Sequence, residues 1–357
     1  MSTLIDEAGN VAVGPDRLKF VGSGGTLFGI HLVGLLLTLI TFGIYRFWWR
    51  TNVRRYMWSN TLYLDEPFEY TGKGLELFVG FLIVLALVIV PGVALYLLGM
   101  WLLSSGEFAA GITMLVLLYG GFFVLLGAAL YRVMVYRLSR TQWRGIRGAL
   151  GGSAITYALR FLGLLVLQMI TLGLAAPYAS IKLYGYMLNN MWFGSGRFRF
   201  QADWKPLFKW FLVPWLLLLG GMGCMVAASA MAIPGASGES IATAMMVMPI
   251  GFLLLFAGFV ALLWYAAAVI RTILAGLEFE GVRFSSTITG ARLFMIYFLA
   301  MLLLAFTLFL AYPWVQVMII KFVTDNIEVH GRPDFGRIAQ SAAEVPKFGE
   351  GLGEAFL

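Results

Sequence analysis

"LTLITFGIYRFWWRTNVRRYMWSN", residues 37–60, starts as an apolar helix suited to lipid and passes directly into aromatic and basic residues that end in an asparagine. The block recurs without gaps as "LQMITLGLAAPYASIKLYGYMLNN" (167–190) and "LLAFTLFLAYPWVQVMIIKFVTDN" (303–326). Thr41, Thr171 and Thr307 coincide, as do Asn60, Asn190 and Asn326. Trp48, Tyr178 and Trp314 coincide as aromatics, while Pro177 and Pro313 fall opposite Phe47. A Thr-to-Asn spacing kept in three places marks an internal repeat, and a repeat constrains a fold more than any single element does.

The register extends outward on both sides. After each asparagine, "NTLYLDEPFEY", "NMWFGSGRFRF" and "NIEVHGRPDF" alternate around a turn, the pattern of a small β-hairpin. Ahead of the second and third blocks, "RGIRGALGGS" and "EGVRFSSTIT" match at Gly145 and Gly281 and at Arg147 and Arg283; "RLKFVGSGG" is a looser N-terminal equivalent. The unit is a polar lead-in, an apolar helix, an aromatic break, a second helix and a hairpin. The first two copies are each followed by two long apolar segments, 77–103 with 108–131 and 207–232 with 241–270. The third instead runs into "GRIAQSAAEVPKFGEGLGEAFL".

The expected fold is therefore an all-α polytopic membrane protein. It has three internal repeats of a bent helical hairpin plus a short β-hairpin, two of them followed by a pair of spanning helices. Its divisions are a polar N-terminal segment (1–17), a first hairpin unit (18–74) and a spanning pair (75–131). A basic link (132–144), a second unit (145–205) and a second pair (206–275) follow. A third unit (276–335) and a flexible C-terminal tail (336–357) complete the chain.

Composition points the same way. Of 357 residues, 61% are hydrophobic and 12% charged, with mean hydropathy +0.87, against about 45–50% and about 25% in soluble domains. Several uncharged runs exceed the ~20 residues needed to cross a hydrocarbon core of about 30 Å. The net charge of +7 does not read as nucleic-acid binding, because Arg and Lys flank the apolar runs as the positive-inside rule requires. The first 20 residues lack the pattern of a cleaved signal peptide. One cysteine, Cys224, and two distant histidines, His31 and His330, offer no metal or haem spacing, so no cofactor is expected.

Charge also bears on topology. Seven simple spans would put the basic segments after copies one and two on opposite sides of the membrane. If the chain turns at the T-x-G-x-x-x-P-aromatic region and comes back, every basic segment lies in the cytoplasm, and the uncharged or acidic loops "SSGE" and "PGASGES" lie outside. The second helix of each hairpin, at about 14–16 residues, is roughly 21–24 Å long. Both a re-entrant hairpin and a fully spanning pair are compatible with that length.

Candidate contacts for an anionic ligand or lipid are Arg50, Arg54 and Arg55 on the second helix of copy one, together with Arg160, Arg271 and Arg292 at the margins of apolar runs. Interfacial anchoring and snorkelling are the competing readings for all six. The three threonines can return a hydroxyl bond to the preceding turn, and the three asparagines can end a helix, which are structural roles. The apolar segments have no mid-span carboxylate of the kind ion-coupled transporters use. No G-x-S-x-G, H-E-x-x-H, P-loop or paired catalytic acid occurs, so no catalytic residue is assigned.

The stretch "LLTLITFGIYRFWWRTNVRRYMWSNTLYLDEPFEYTGKGLELF", with its partner "ITLGLAAPYASIKLYGYMLNNMWFGSGRFRF", resembles the bacterial inner-membrane family called YjgN or DUF898 over about residues 18–335. Phe47, where that family usually has proline, and the second copy's fewer basic residues depart from its pattern. The resemblance implies a location in the bacterial inner membrane, and the distribution of basic residues puts the hairpins and tail of this multi-pass chain in the cytoplasm. The resemblance also implies a neighbouring membrane-associated zinc metallopeptidase of the M48 type as a partner, the metal belonging to the peptidase. The expected function is non-enzymatic handling or transport of a lipid or other amphipathic or anionic molecule. The alternative is a membrane scaffold or regulator of a partner such as that peptidase. Membrane lipids are expected partners, and a homo-oligomer is compatible with the sequence.

Overall fold

The computed structural model of the protein describes residues 15–233, 235, 237–331 and 338. Residues 1–14 and, apart from Ile338, the tail at 336–357 lie outside the described residues.

The chain opens with β1 (Asp16–Arg17) and β2 (Lys19–Phe20), then the bent pair α1 (Gly24–Ile40) and α2 (Arg46–Ser59). A hairpin of β3 (Thr61–Tyr63) and β4 (Glu66–Tyr70) follows. A long helix then runs through α3 (Gly74–Val84), a π turn at Leu85–Ile89 and α4 (Val90–Ser104). The π turn lies just ahead of Pro91, which has no N–H to give to the preceding turn. The chain returns along α5 (Phe108–Ser139) to a second hairpin, β5 (Thr141–Trp143) and β6 (Ile146–Leu150). Next come α6 (Ala154–Ile170), α7 (Ala176–Asn189), and the hairpin β7 (Met191–Phe193) with β8 (Gly196–Phe200). Another long pair, α8 (Lys205–Met231) and α9 (Gly238–Ala275), leads to β9 (Leu277–Phe279) and β10 (Val282–Ser286). The last pair is α10 (Gly290–Phe306) and α11 (Tyr312–Asp325), followed by β11 (Ile327–His330).

The all-α expectation is corrected by the strands. Among the described residues they form one antiparallel sheet in the order β1-β11-β10-β9-β8-β7-β6-β5-β4-β3-β2. Only Leu18 separates β1 from β2, so the two ends of the order meet and the sheet curls into a barrel-like ring. Closure removes the exposed edges that would leave an isolated two-stranded hairpin marginal in water. The stretches read as a basic link and as lead-ins supply β5, β6, β9 and β10 to that ring. Tight turns join the hairpins: Leu64-Asp65, Arg144-Gly145 and Glu280-Gly281 have positive φ at both positions, and Gly194 has it at the first position of its turn. These primed geometries match the twist of paired strands.

The repeat is fivefold rather than threefold. Strands end at Phe20, Tyr70, Leu150, Phe200 and Ser286, and the residue seven later is Leu27, Leu77, Tyr157, Leu207 or Leu293, each buried. The N–H groups of Val21, Thr71, Gly151, Gln201 and Thr287 donate to the carbonyls of Asn60, Arg140, Asn190, Gly276 and Asn326 at 2.8–3.1 Å. That single bond ties each returning helix to the segment leaving the ring. Separate hydrophobic clusters sit at these junctions, for example Phe47, Tyr70, Leu77 and Tyr136 at one and Phe20, Leu27, Met57 and Val317 at another.

All five helix pairs leave the same end of the ring, because each joins two neighbouring strands opposite the tight turns. Helices touch in the order α1, α2, α3–α4, α5, α6, α7, α8, α9, α10, α11 and back to α1. Two pairs are long: the helix Gly74–Ser104 has 31 residues, α5 has 32, α8 has 27 and α9 has 38, and all four are apolar enough to cross a membrane. At 1.5 Å per residue the shortest is about 40 Å. The other three pairs begin with helices of 17 residues, about 25 Å, and return with helices of 14.

Candidate functional site

Strand alternation gives the ring two chemically distinct faces. Register puts Phe68 opposite Trp143, Phe198 opposite Phe279 and Phe284 opposite Val329, so these residues share the inner face. Arg147, Arg197, Arg199, Glu278, Arg283 and Glu328 alternate with them and point outward. The sequence carries this signal as aromatic and charged residues in alternation, as in "RFRF" and "EFEGVRF". Read hairpin by hairpin, it does not reveal that the faces join.

The inner face lines an open cavity of about 220 Å³. Tyr63, Trp143, Phe193 and Phe279 line it beside the tight turns, and Phe68, Phe198 and Phe284 line it one layer deeper. Their rings form a chain: Tyr63 to Trp143 at 5.4 Å, Trp143 to Phe193 at 6.2 Å, Phe193 to Phe279 at 6.1 Å and Phe279 to Phe198 at 4.5 Å between centroids. Tilted and edge contacts of this kind add about 0.5–1.5 kcal/mol each beyond burial. The indole N–H of Trp143 is used up on the Glu66 carbonyl at 3.3 Å. The next layer toward the helices, Phe20, Tyr70, Leu150 and Phe200, is buried, and the cavity stops short of it. The cavity suits an apolar group and offers no charge to hold a cofactor or metal.

Ion pairs brace the outer wall. Arg17 Nη2 lies 2.5 Å from Glu328 Oε1 across the seam between β1 and β11. Arg144 holds both carboxylate oxygens of Glu66, at 2.7 and 2.8 Å, across the seam between β4 and β5. Lys19 reaches Asp65 at 2.8 Å. The Arg144 guanidinium keeps the Glu66 carboxyl below its ordinary value, and Arg17, assisted by Ser285, does the same for Glu328.

Five of the six candidate arginines are spread around the collar between ring and helices, and Arg50 lies farther along α2 toward the hairpin tip. Arg55 Nη2 donates to the Gly72 carbonyl at 2.9 Å, and Arg271 Nη1 to the Ile288 carbonyl at 2.5 Å. These are equivalent positions in the fivefold repeat, so the two residues form the same clasp. Arg292 Nη1 donates to Asn326 Oδ1 at 3.0 Å. Arg54 Nη1 reaches the Tyr70 hydroxyl at 3.3 Å on the inner face, and Arg160 stacks over the Tyr186 ring at 4.6 Å. Arg50, half-buried on α2, also has a partner within the chain. The structure does not gather them into one site.

The residues that define the repeat make repeated contacts. Thr41, Thr171 and Thr307 each donate a hydroxyl bond to the carbonyl four residues back, at 2.6–2.8 Å, and accept the backbone N–H of Tyr45, Ala175 or Ala311 at 2.9–3.2 Å. Asn60, Asn190 and Asn326 each donate from Nδ2 to the carbonyl four residues back. Trp48 and Trp314 lie on Gly74 and Gly24 of the next unit, and Tyr178 meets Trp204 at the matching place. Pro177 and Pro313 sit in the first turns of α7 and α11, where a missing N–H costs nothing. Phe47 takes that position in α2 and is buried.

The chain is 27% identical to the inner membrane protein YjgN of Salmonella typhimurium, over 89% of each chain. No solved structure matches. The family described as "Bacterial protein of unknown function (DUF898)" matches residues 15–355, and this membrane protein belongs to it.

Proposed function

We propose that the chain is a multi-pass protein of the bacterial inner membrane whose cytoplasmic barrel binds the apolar part of an amphipathic molecule, a lipid being the simplest candidate. The aromatic bore carries this reading: a cavity of about 220 Å³ lined by rings lies in the barrel, one buried layer away from helices that belong in lipid. For scale, an engineered apolar cavity of about 150 Å³ stays dry and takes up benzene. The basic collar supports the cytoplasmic placement, since Arg54, Arg55, Arg137, Arg140, Lys205 and Lys209 all lie where the long and short helices meet the ring. The far loop between α4 and α5 contains only Ser105, Gly106 and Glu107. Binding without catalysis is the reading that fits a bore lined by carbon and lacking an acid, base or nucleophile pair.

A phospholipid carrying a diazirine at the end of one acyl chain, photolysed in membranes and mapped by peptide mass spectrometry, tests the proposal. Label on the strands at Phe68, Trp143 or Phe279 is the expected result, with loss of that label in Phe279→Asp. Label confined to the helices would overturn it.

A further inference from the structure

A second cavity, of about 390 Å³, lies among the helices and differs in chemistry from the bore. Its walls come from α5, α6, α7 and α9. In the ring of helices α8 stands between α7 and α9, so a space shared by α7, α9 and α5 opens toward the inside of the ring, away from surrounding lipid. Its volume is within the roughly 300–1,000 Å³ of small-molecule sites.

The lining sets uncharged polar groups among apolar ones such as Met134, Leu183 and Met187. Tyr157, Gln168, Ser180, Tyr184 and Tyr265 line it. The Ser180 hydroxyl donates to the Pro177 carbonyl at 2.9 Å, and Tyr184 is near enough to act electrostatically on both Tyr157 and Tyr265. Tyr157 is only 5% exposed. Hydroxyl and amide groups are costly within an apolar helix layer, and gathered on one cavity they offer hydrogen bonds to a bound polar group.

The repeat does not demand these residues. At the positions of Gln168, Ser180 and Tyr184, the first copy has Thr38, Arg50 and Arg54, and the third has Leu304, Gln316 and Ile320. The scaffold is built three times, but this cluster only once. We infer that the chamber between α5, α6, α7 and α9 is a binding site for the uncharged ester and hydroxyl region of a neutral glycerolipid, recognised by Tyr157, Gln168 and Tyr184. A phosphate head is disfavoured because the lining provides no cation to meet it.

Native mass spectrometry of the full chain in detergent, titrated with 1,2-dioctanoylglycerol, tests this. The wild-type chain should retain the probe, and the shape-conserving pair Tyr184→Phe with Gln168→Leu should weaken retention at least about fivefold, the scale of losing two neutral hydrogen bonds. Tyr184→Phe alone removes one oxygen and serves if the double variant misfolds; it should show a smaller loss of the same sign. The double variant should leave the diazirine acyl-chain label at Phe68, Trp143 and Phe279 in the bore unchanged, so the two sites fail or stand separately. No retention by the wild type, equal retention by the variants, or retention of dioctanoyl phosphatidylglycerol as tight as that of the neutral probe would each overturn the inference.

Discussion

The hydroxyl of Thr41 accepts the backbone N–H of Tyr45 at 2.9 Å while donating to the Leu37 carbonyl at 2.7 Å, so one side chain fastens both limbs of a helical hairpin. Around it the backbone is in the left-handed region at Phe42 and Gly43, and the Gly43 N–H returns to the Thr38 carbonyl at 2.7 Å. The turn thus pairs its polar groups locally, as backbone within hydrocarbon must. Thr41→Val keeps the volume but leaves the Tyr45 N–H without its partner. A loss of about 1–3 kcal/mol is expected, read as a lower melting temperature in detergent. Thr171→Val and Thr307→Val should behave alike, because the same pair of bonds is present in each copy. Three unchanged melting temperatures would remove the staple from the account of the bend.

The seam between β1 and β11 titrates. Arg17 holds the Glu328 carboxyl below its ordinary value of 4.5. A carboxyl depressed in the folded state contributes stability that is present above its unfolded value and is lost as pH falls through the folded one. The seam should therefore be firm at neutral pH and loosen below about pH 4. Hydrogen exchange at residues 16–20 and 327–330, compared with Glu328→Gln at each pH, reads this directly. The two proteins should converge at low pH and differ at pH 7. A constant difference across the range would mean that the ion pair does not hold the seam.

Close approach at the first residues of the outgoing helices yields a paired prediction. A Cβ on Gly24 would fall 2.3–2.7 Å from ring atoms of Trp314, whereas one on Gly74 would also meet the Trp48 Cα at 2.8 Å. Overpacking of this kind costs typically about 1–3 kcal/mol. Trimming the ring should relieve the first clash and not the second. Gly24→Ala is thus expected to be destabilising alone and nearly neutral in a Trp314→Ala background, while Gly74→Ala stays destabilising beside Trp48→Ala. Thermal melts of the two double-mutant cycles decide it.

Sequence and structure agree on the marks and differ on the count. Thr41, Asn60 and Trp48 were legible because a local geometry built three times needs the same residue types three times. The second and fourth junctions were hidden: the residues capping α5 and α9 are Arg140 and Gly276, where the other three have Asn, and the long pairs carry no threonine staple among the described residues. The ring itself was hidden by the shortness of its strands and by the distance between partners. Phe68 pairs with Trp143 across 63 intervening residues of helix after β4 closes at Tyr70 and before α5 ends at Ser139, so no local pattern reveals the match. Gln168, Tyr184 and Tyr265 gave no signal either, since a polar residue in an apolar run shows its neighbours only after the helices are arranged.

Topology supplies the last prediction. The tip of the first hairpin carries Phe42 at 97% exposure, and the third carries Leu308 at 84%. Such side chains belong in hydrocarbon, and helices of 17 residues, about 25 Å, fall short of a core of about 30 Å. With Cys224 replaced by alanine, single cysteines at Ser105, Ser195 and Phe42 distinguish the arrangements using a charged, membrane-impermeant maleimide. Ser195→Cys, in the tight turn between β7 and β8, should label from the cytoplasmic side only, and Ser105→Cys from the opposite side only. Phe42→Cys should resist the reagent from either side until detergent is added, the signature of a hairpin that ends within the bilayer. Labelling of Phe42→Cys together with Ser105→Cys would make the short pairs full crossings, and labelling of Ser105→Cys together with Ser195→Cys would undo the even number of passes between successive hairpins.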